Sequence, residues 1–404
     1  SRFAPENRWA NFFSGALAWS ISEEDFLRDS DAVSTLKLRL GFGQTGQQEI
    51  DKDFGYLPIY TPGDAGVRYP FGSDYHYTLR PEGYDKNIKW EESDTYNIGL
   101  DFGFSGDIIT GSLEYFQRQS EDILNRVAPP AGSNLTNEIY TNIGDLESSG
   151  VEFTLNADIF QRPNFTWNLS FNATYLTNEI KKLNNVEDPD YVGIPVGGIS
   201  GGVGNTVQTQ QVGQPQFSFL VYEQVYDESG NPLEGVYVDQ NGDGLINDSD
   251  KRIFNNPNPD YLFGLSSYMT FYENWDFSFT MRASLGNYVY NNVASANGVY
   301  AGVWELNSLR NAHSSLLDTD FREQQFWSDY YVQDASFLRM DNVALGYSFS
   351  NLNEGNTRLR LYTTVQNVFV VTPYEGLDPE INGGIDNNFY PRPRTFLVGL
   401  NLNF

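Results

Sequence analysis

The 404 residues carry 53 acidic and 25 basic side chains, a formal net charge of −28, which speaks against nucleic acid as a partner because phosphates demand a basic surface. There is no cysteine, so neither disulfides nor a lipid-anchored cysteine is available to these residues, and with His76 and His313 the only imidazoles a His-based metal site or triad is not expected. Aromatic residues reach 15% (29 Phe, 26 Tyr, 7 Trp), an excess that suits the interfacial girdles of a membrane barrel. No stretch approaches the roughly 18 apolar residues of a membrane helix, a test that barrel strands escape by alternation.

Apolar residues alternating with polar ones mark a strand with one greasy face, and the pattern recurs about eleven times along the chain. It is weak over 8–19, then clear at Leu36, Leu38, Leu40 and Phe42, which interleave with Lys37, Arg39, Gly41 and Gly43. Tyr96, Ile98, Leu100, Phe102 and Phe104 follow, then a weaker segment at 108–119. Val151 to Ile159 and Phe165 to Ala173 alternate cleanly, 261–271 less so. Trp275 to Leu285 is next, then a weak 337–350, then Leu359, Leu361, Val365 and Phe369. The chain closes on Phe396, Val398, Leu400, Leu402 and Phe404. This last strand of about ten residues is long enough to cross a bilayer when tilted.

A soluble β-sandwich also alternates, but these faces are large and apolar over more positions than an average strand offers. The opposite faces carry Arg39, Asp158, Arg282 and Arg360, which suit a wet lumen. Connections are short near 20–31, 105–107, 161–164, 272–274 and 351–356, and long at about 45–92, 121–147, 179–260, 288–335 and 372–390. Outer-membrane barrels sort their turns in this way, short on the periplasmic side and long outside the cell. An odd strand count conflicts with a closed barrel, since a lipid-facing edge cannot stay unpaired. The chain is therefore expected to be all-β, a transmembrane antiparallel β-barrel wall of about 11 strands forming the C-terminal half of a roughly 22-stranded barrel.

The sharpest local motif is Asp239-Gln-Asn-Gly-Asp-Gly-Leu-Ile-Asn-Asp-Ser-Asp250. Oxygen donors at positions 1, 3 and 5, Gly at 6 and a carboxylate at 12 form a calcium-loop pattern. Asp239, Asn241 and Asp243 are expected to offer side-chain oxygens, Leu245 its carbonyl and Asp250 the closing carboxylate, for a structural Ca2+. The rival is an acidic turn that binds nothing. Loop 45–92 holds Phe54, Tyr56, Tyr60, Tyr69, Phe71, Tyr75, Tyr77, Tyr84 and Trp90, a composition that fits either a sugar platform or packing against protein. The glycine-rich 197–204 lacks the Lys-Ser/Thr of a phosphate loop and is expected to be a mobile extracellular loop. No catalytic constellation emerges, and no enzymatic activity is expected.

Several stretches in order resemble the SusC/RagA family of TonB-dependent outer-membrane transporters of Bacteroidota. They are Arg8-Trp9 with Phe12-Phe13-Ser14, Ala18-Trp-Ser-Ile-Ser-Glu-Glu24, Leu36 to Gly46, Asn142-Ile-Gly144 with Ser149-Gly-Val-Glu152, and the Asp239–Asp250 loop with Asn256-Pro-Asn-Pro259. Gln366-Asn-Val-Phe369, Tyr374-Glu-Gly-Leu-Asp-Pro-Glu380 and Tyr390-Pro-Arg-Pro-Arg-Thr-Phe396 complete the set. The resemblance implies a 22-stranded barrel around an N-terminal plug, a SusD-like surface lipoprotein acting as lid, TonB pulling on the plug, and uptake of oligosaccharides or peptides. Residues 1–404 hold no plug and no TonB-contacting segment, so an N-terminal barrel and plug portion is expected as a partner. A passive channel and a structural or assembly subunit of the outer membrane are the alternative roles.

Overall fold

A computed structural model of the chain describes residues 2–49, 53–63, 65–127, 132, 134, 136, 139–183, 193–201, 204–303, 311–349, 358–387 and 390–403. Eleven strands form one antiparallel sheet in which each is hydrogen-bonded to its sequence neighbour. They are β1 (Ser14–Ser20), β2 (Val33–Gln47), β3 (Glu91–Phe104), β4 (Ile109–Glu121), β5 (Asp145–Arg162) and β6 (Phe165–Lys182). Then come β7 (Tyr261–Phe271), β8 (Trp275–Leu285), β9 (Phe337–Phe349), β10 (Arg358–Val371) and β11 (Thr395–Asn403). Every alternating segment of the sequence corresponds to one of them. The strands are longer than the patterns at their long-loop ends, where alternation fades but pairing continues, as in Gly46↔Glu92 and Lys182↔Asp145. Phe404 and the turn at 351–356 lie outside the described residues.

Register sets the two faces. The pairs Leu40↔Ile98, Leu100↔Leu113, Leu155↔Phe171, Phe263↔Ala283 and Leu361↔Leu400 align apolar side chains across neighbouring strands. A one-residue slip would turn all of them over together, so the pattern specifies the pairing. Apolar residues of this face stay open: Leu17 is 63% exposed, Ile98 46% and Leu113 46%, whereas Val207 and Phe219 elsewhere are at 0%. A band that size across eleven strands far exceeds the few hundred Å² of a soluble monomer's patches and calls for lipid. Aromatic rings gather toward both ends of the band: Phe42 with Tyr96 at 5.0 Å and Tyr175 with Tyr261 at 5.1 Å on the long-loop side, Phe160 with Trp167 and Trp275 with Tyr347 on the short-turn side.

Small residues make room for this lining. A Cβ on Gly111 would lie 2.2 Å from the Thr154 carbonyl and 2.5 Å from Phe102, so only glycine lets the Phe102 ring cross strand β4 and stack on Phe153 at 6.4 Å. The turn between β7 and β8 uses two left-handed residues in succession, Tyr272 (φ 52) and Glu273 (φ 62), a backbone choice whose twist matches the flanking strands.

The true hydrophobic core lies beyond the long-loop ends of the strands. Four short strands, Ile194–Gly198, Thr206–Gln210, Ser218–Tyr222 and Lys251–Ile253, form a separate sheet. Val207, Phe219, Val221, Tyr290 and Tyr331 pack there, none more than 1% exposed. This corrects the expectation of a mobile loop at 197–204 for its described residues: Gly197 and Gly198 belong to a strand, Ile199 is buried, and Gly201 sits under the Phe326 ring, while 202–203 lie outside the described residues. Hydrophobic burial of Ile199, about 1.5–3 kcal/mol for such a side chain, holds the segment down.

The two faces carry opposite expectations for substitution. Phe171→Arg, on the apolar face, is expected to destabilise the protein in lipid vesicles by about 2–4 kcal/mol. Asn172→Arg, on the polar face, is expected to shift the denaturant midpoint by far less. Equal effects of the two would contradict the assignment of faces.

Candidate functional site

The polar face is built from charged side chains that strand alternation places inward. Arg39 of β2 donates from Nε and Nη2 to Asp101 of β3, each at 2.9 Å, and reaches Glu114 of β4 at 3.0 Å. A Cβ on Gly99 would lie 2.8 Å from that guanidinium, so the glycine lets Arg39 lie flat along the wall. Nearer the short turns, Arg360 of β10 makes a two-pronged bond to Asp276 of β8, at 2.8 and 2.5 Å. Asp158 accepts from Asn168 and Gln161. Each charge expected to face a wet lumen is thus present on that face, and each is paired or hydrogen-bonded.

At the long-loop end the chain after β10 folds back over the polar face. Arg339 of β9 is 2% exposed and bonds Asp378, 4% exposed, at 2.6 Å. Glu380 accepts from Arg282 of β8 at 2.5 and 2.7 Å and from Arg392 at 2.6 Å. Arg282 also holds Asp341 at 2.8 Å. The pairing of β8 with β9 shifts register between Thr280 and Met281, and Asp341 is the residue skipped on β9, so a bulge re-aims its side chain. Burial is the largest single influence and pushes the Glu380 carboxyl up, but the bond from Arg282 together with the charges of Arg282, Arg392 and Arg339 outweighs it and leaves Glu380 below its ordinary range. Tyr374 donates to Asp386 at 2.8 Å, and the Gly383 carbonyl accepts from Gln208 at 2.9 Å, tying the segment to the outer lobe. Sequence reading placed Arg282 in the lumen but missed Arg339, Asp341, Asp378, Glu380 and Arg392 as one network, because its members lie up to 110 residues apart.

The acidic loop is ordered by its own side chains. Asp239 accepts backbone N–H bonds from Gly242 and Gly244, both at 2.8 Å, Asn241 from Asp243 at 2.9 Å, and Asp243 from Leu245 at 2.8 Å. Gly242 (φ 74) and Gly244 (φ 82) supply the left-handed turns. Asp250 is fully buried and caps the loop by accepting from Gln240 at 2.9 Å and Asn247 at 2.8 Å. The Gly244 amide foremost holds the Asp239 carboxyl below its ordinary range, with Gly242, Asp243 and the neighbouring Asp250 adding to it. Among the described residues no three His, Cys, Asp or Glu side chains converge as a metal cluster. The donor set at this loop is all oxygen, with amide and carbonyl groups beside the carboxylates, which fits a hard cation such as Ca2+.

The aromatic loop divides in two. Tyr56 and Trp90 pack with Phe3 and Ile88 in a small core, while Tyr60, Tyr69, Phe71, Tyr75 and Tyr77 are all more than half exposed on a narrow ribbon. Arg68–Phe71 pairs with Asp74–Tyr77 in that ribbon.

Over residues 2–368 the chain matches the family described as TonB dependent receptor-like, beta-barrel. It is 47% identical over 411 residues to TonB-dependent receptor SusC of Bacteroides thetaiotaomicron, covering 100% of this chain and 41% of the relative. It is 30% identical over 448 residues to TonB-dependent receptor P3 of Formosa agariphila, covering 100% of this chain and 43% of the relative. The structure of the RagAB peptide transporter is similar with a TM-score of 0.81 at 22% identity, over 100% of this chain and 44% of that one. At that identity the likeness is one of fold. The chain spans less than half the length of the curated relatives it matches. Those relatives are receptors and not enzymes, in agreement with the expectation from sequence.

Arg339→Ala is expected to leave buried Asp378 with only the Glu380 amide and the more distant Arg392 guanidinium, at 3.7 Å, as partners, a loss of about 3 kcal/mol, the low end for a broken buried pair. Hydrogen exchange should rise across 372–387, while β2 and β3 stay unchanged. Because Glu380 is held below its ordinary range, its contribution is present above the unfolded value of about 4.3 and is lost as pH falls through the lower folded value. Exchange in the same segment should therefore increase only on acidification below about pH 4. Loosening on raising the pH instead would contradict the pairing.

Proposed function

The chain belongs to the TonB-dependent receptor-like β-barrel family, and from that premise we propose that it forms one wall of an energised outer-membrane nutrient importer of a Bacteroidota-like Gram-negative cell. The observation that carries this reading is an apolar, lipid-compatible face backed by a charged polar face that, among the described residues, folded loops roof at one end. The proposal assigns uptake of oligosaccharides or peptides to the chamber, a SusD-like surface lipoprotein to the long loops, and TonB to a plug contributed by an N-terminal portion. The exposed ribbon Tyr60–Pro81 carries four Tyr, one Phe and two Arg against two Asp and no Lys or Glu, a composition near that of a protein interface core, which favours the lipoprotein over a sugar platform there.

Uptake of labelled oligosaccharide and peptide pools by cells with and without the gene tests the import reading. Loss of uptake on deletion, and an equal loss on collapsing the proton gradient, is expected. Uptake that survives without the gradient would indicate a passive channel, and a general envelope defect with unchanged uptake would indicate an assembly role.

The same proposal assigns a structural Ca2+ to Asp239, Asn241, Asp243, Leu245 and Asp250, where it pins the long segment between β6 and β7. Asp243→Ala is expected to raise protease sensitivity across 204–260 and to abolish the protection that millimolar calcium confers on the wild type. A wild type indifferent to both calcium and chelator would remove the metal and leave a hydrogen-bonded turn.

A further inference from the structure

A cleft of about 330 Å³ opens on the polar face where the segment after β10 crosses the mouth of the wall. Its lining brings Leu262 and Arg282 of the strands together with Pro257, Pro259 and Pro379 as apolar surface and with Arg392. We propose that this cleft is a subsite for an uncharged, hydroxyl-rich ligand, a segment of neutral oligosaccharide. The proposal rests on the import reading above and narrows it.

Charge selects first. Three guanidinium groups (Arg282, Arg339, Arg392) and three carboxylates (Asp341, Asp378, Glu380) compensate one another in and beside the cleft. A carboxylate ligand would crowd Glu380 and Asp378, and an ammonium ligand would find no carboxylate without its guanidinium. Hydrogen bonding selects next. Arg282 spends Nε on Asp341 and one N–H of each terminal nitrogen on Glu380, so a second N–H on each remains of the five that arginine carries. Arg392 bonds Glu380 through Nη1 alone, and among the described residues its Nη2 meets no acceptor. Glu380 Oε1 accepts a single N–H and keeps a lone pair. Donors and an acceptor thus sit side by side at half-buried positions, which suits neighbouring hydroxyls that accept from arginine and donate to Glu380. The side chain of Asn382, at the edge of the same cleft, bonds nothing among the described residues and offers one more amide.

Shape selects last. Pro257, Pro259 and Pro379 present flat carbon faces and no backbone N–H. An extended peptide captured by strand addition needs a row of N–H and C=O groups, which these walls do not offer, whereas the C–H faces of a sugar ring need only apolar surface.

The test uses full-length receptor purified in detergent with its companion lipoprotein, titrated calorimetrically. The probes are neutral hexasaccharides of glucose, xylose and mannose, inulin-type fructo-oligosaccharides, hexagalacturonate and an uncharged octapeptide. At least one neutral oligosaccharide is expected to bind. Leu262→Trp, which fills the cleft without touching the ion pairs, and Arg392→Gln, which removes the free donors, should each weaken it at least tenfold. Neither hexagalacturonate nor the octapeptide should compete. Binding untouched by both variants, preference for the acidic sugar or the peptide, or no neutral probe bound would overturn the subsite. Uptake by energised cells is scored separately: import that persists while the variants leave binding unchanged refutes the cleft alone. Binding that depends on the cleft in a receptor importing nothing refutes the import reading and upholds the subsite.

Discussion

Backbone hydrogen bonding in the absence of water governs this molecule more than any side-chain contact. Inside a bilayer each unpaired N–H or C=O costs several kcal/mol, so a sheet survives there only if every strand has a neighbour on both sides. Nine of the eleven strands meet that condition within the sheet, and β1 and β11 each pair on one side only. Two open edges facing lipid require further strands to complete a barrel. The same rule explains why irregular chain is confined to the ends of the strands. All of the folded outer lobe, with its own sheet and core, lies on the long-loop side, where water is available.

With backbone needs met by pairing, the side chains are free to serve two solvents at once. The outward face is chosen for lipid, with rings at both borders and small residues such as Gly111 where rings must pass. The inward face is chosen for water but not left as loose charge. Arg39 and Arg282 are clamped to carboxylates on adjacent strands and Arg360 to one two strands away, so the chamber wall is rigid and locally near neutral even though the chain carries a net charge of −28. The excess acid is found largely in the loops, where it keeps the outer surface soluble. In the network of Arg339 and Asp378, both members of an ion pair are removed from water. A buried pair of that kind is weak evidence of stability and better evidence of a fixed geometry. Here it fixes the segment 372–387 against both the wall and the lobe.

Period-2 alternation made the wall readable because each strand borders two uniform solvents, and a uniform solvent imposes a uniform pattern. Even the weaker segments at 8–19, 108–119, 261–271 and 337–350 proved to be β1, β4, β7 and β9. Arg39, Asp158, Arg282 and Arg360 were recognisable as inward charges for the same reason. The outer lobe was not readable, since its core joins Val207, Phe219, Tyr290 and Tyr331 across irregular chain with no period to follow. The glycines at 197–204 suggested mobility because composition does not reveal that Ile199 has a core to enter. Asp378 and Glu380 lay in a stretch noted for its resemblance to known receptors, but their partners Arg282 and Arg339 come from strands 39 to 98 residues away. Only the fold brings them together. The oxygen ladder of Asp239 to Asp250 was visible as spacing, and its internal Asx turns follow from that spacing.

One face is assigned to lipid and the other to an aqueous chamber, and the absence of cysteine from the 404 residues makes that assignment directly measurable. Single cysteines introduced one at a time along β7 and β8, Tyr261 to Leu285, and labelled with a fluorophore in lipid vesicles report which solvent each position meets. Strict alternation is expected: quenching by bromolipid at Phe263, Leu265, Phe277, Phe279 and Met281, and quenching by iodide at Gly264, Ser266, Ser278, Thr280 and Arg282. Iodide reaching both sets, with no bromolipid quenching at either, would mean a sheet in water and would contradict the barrel wall on which the import reading depends.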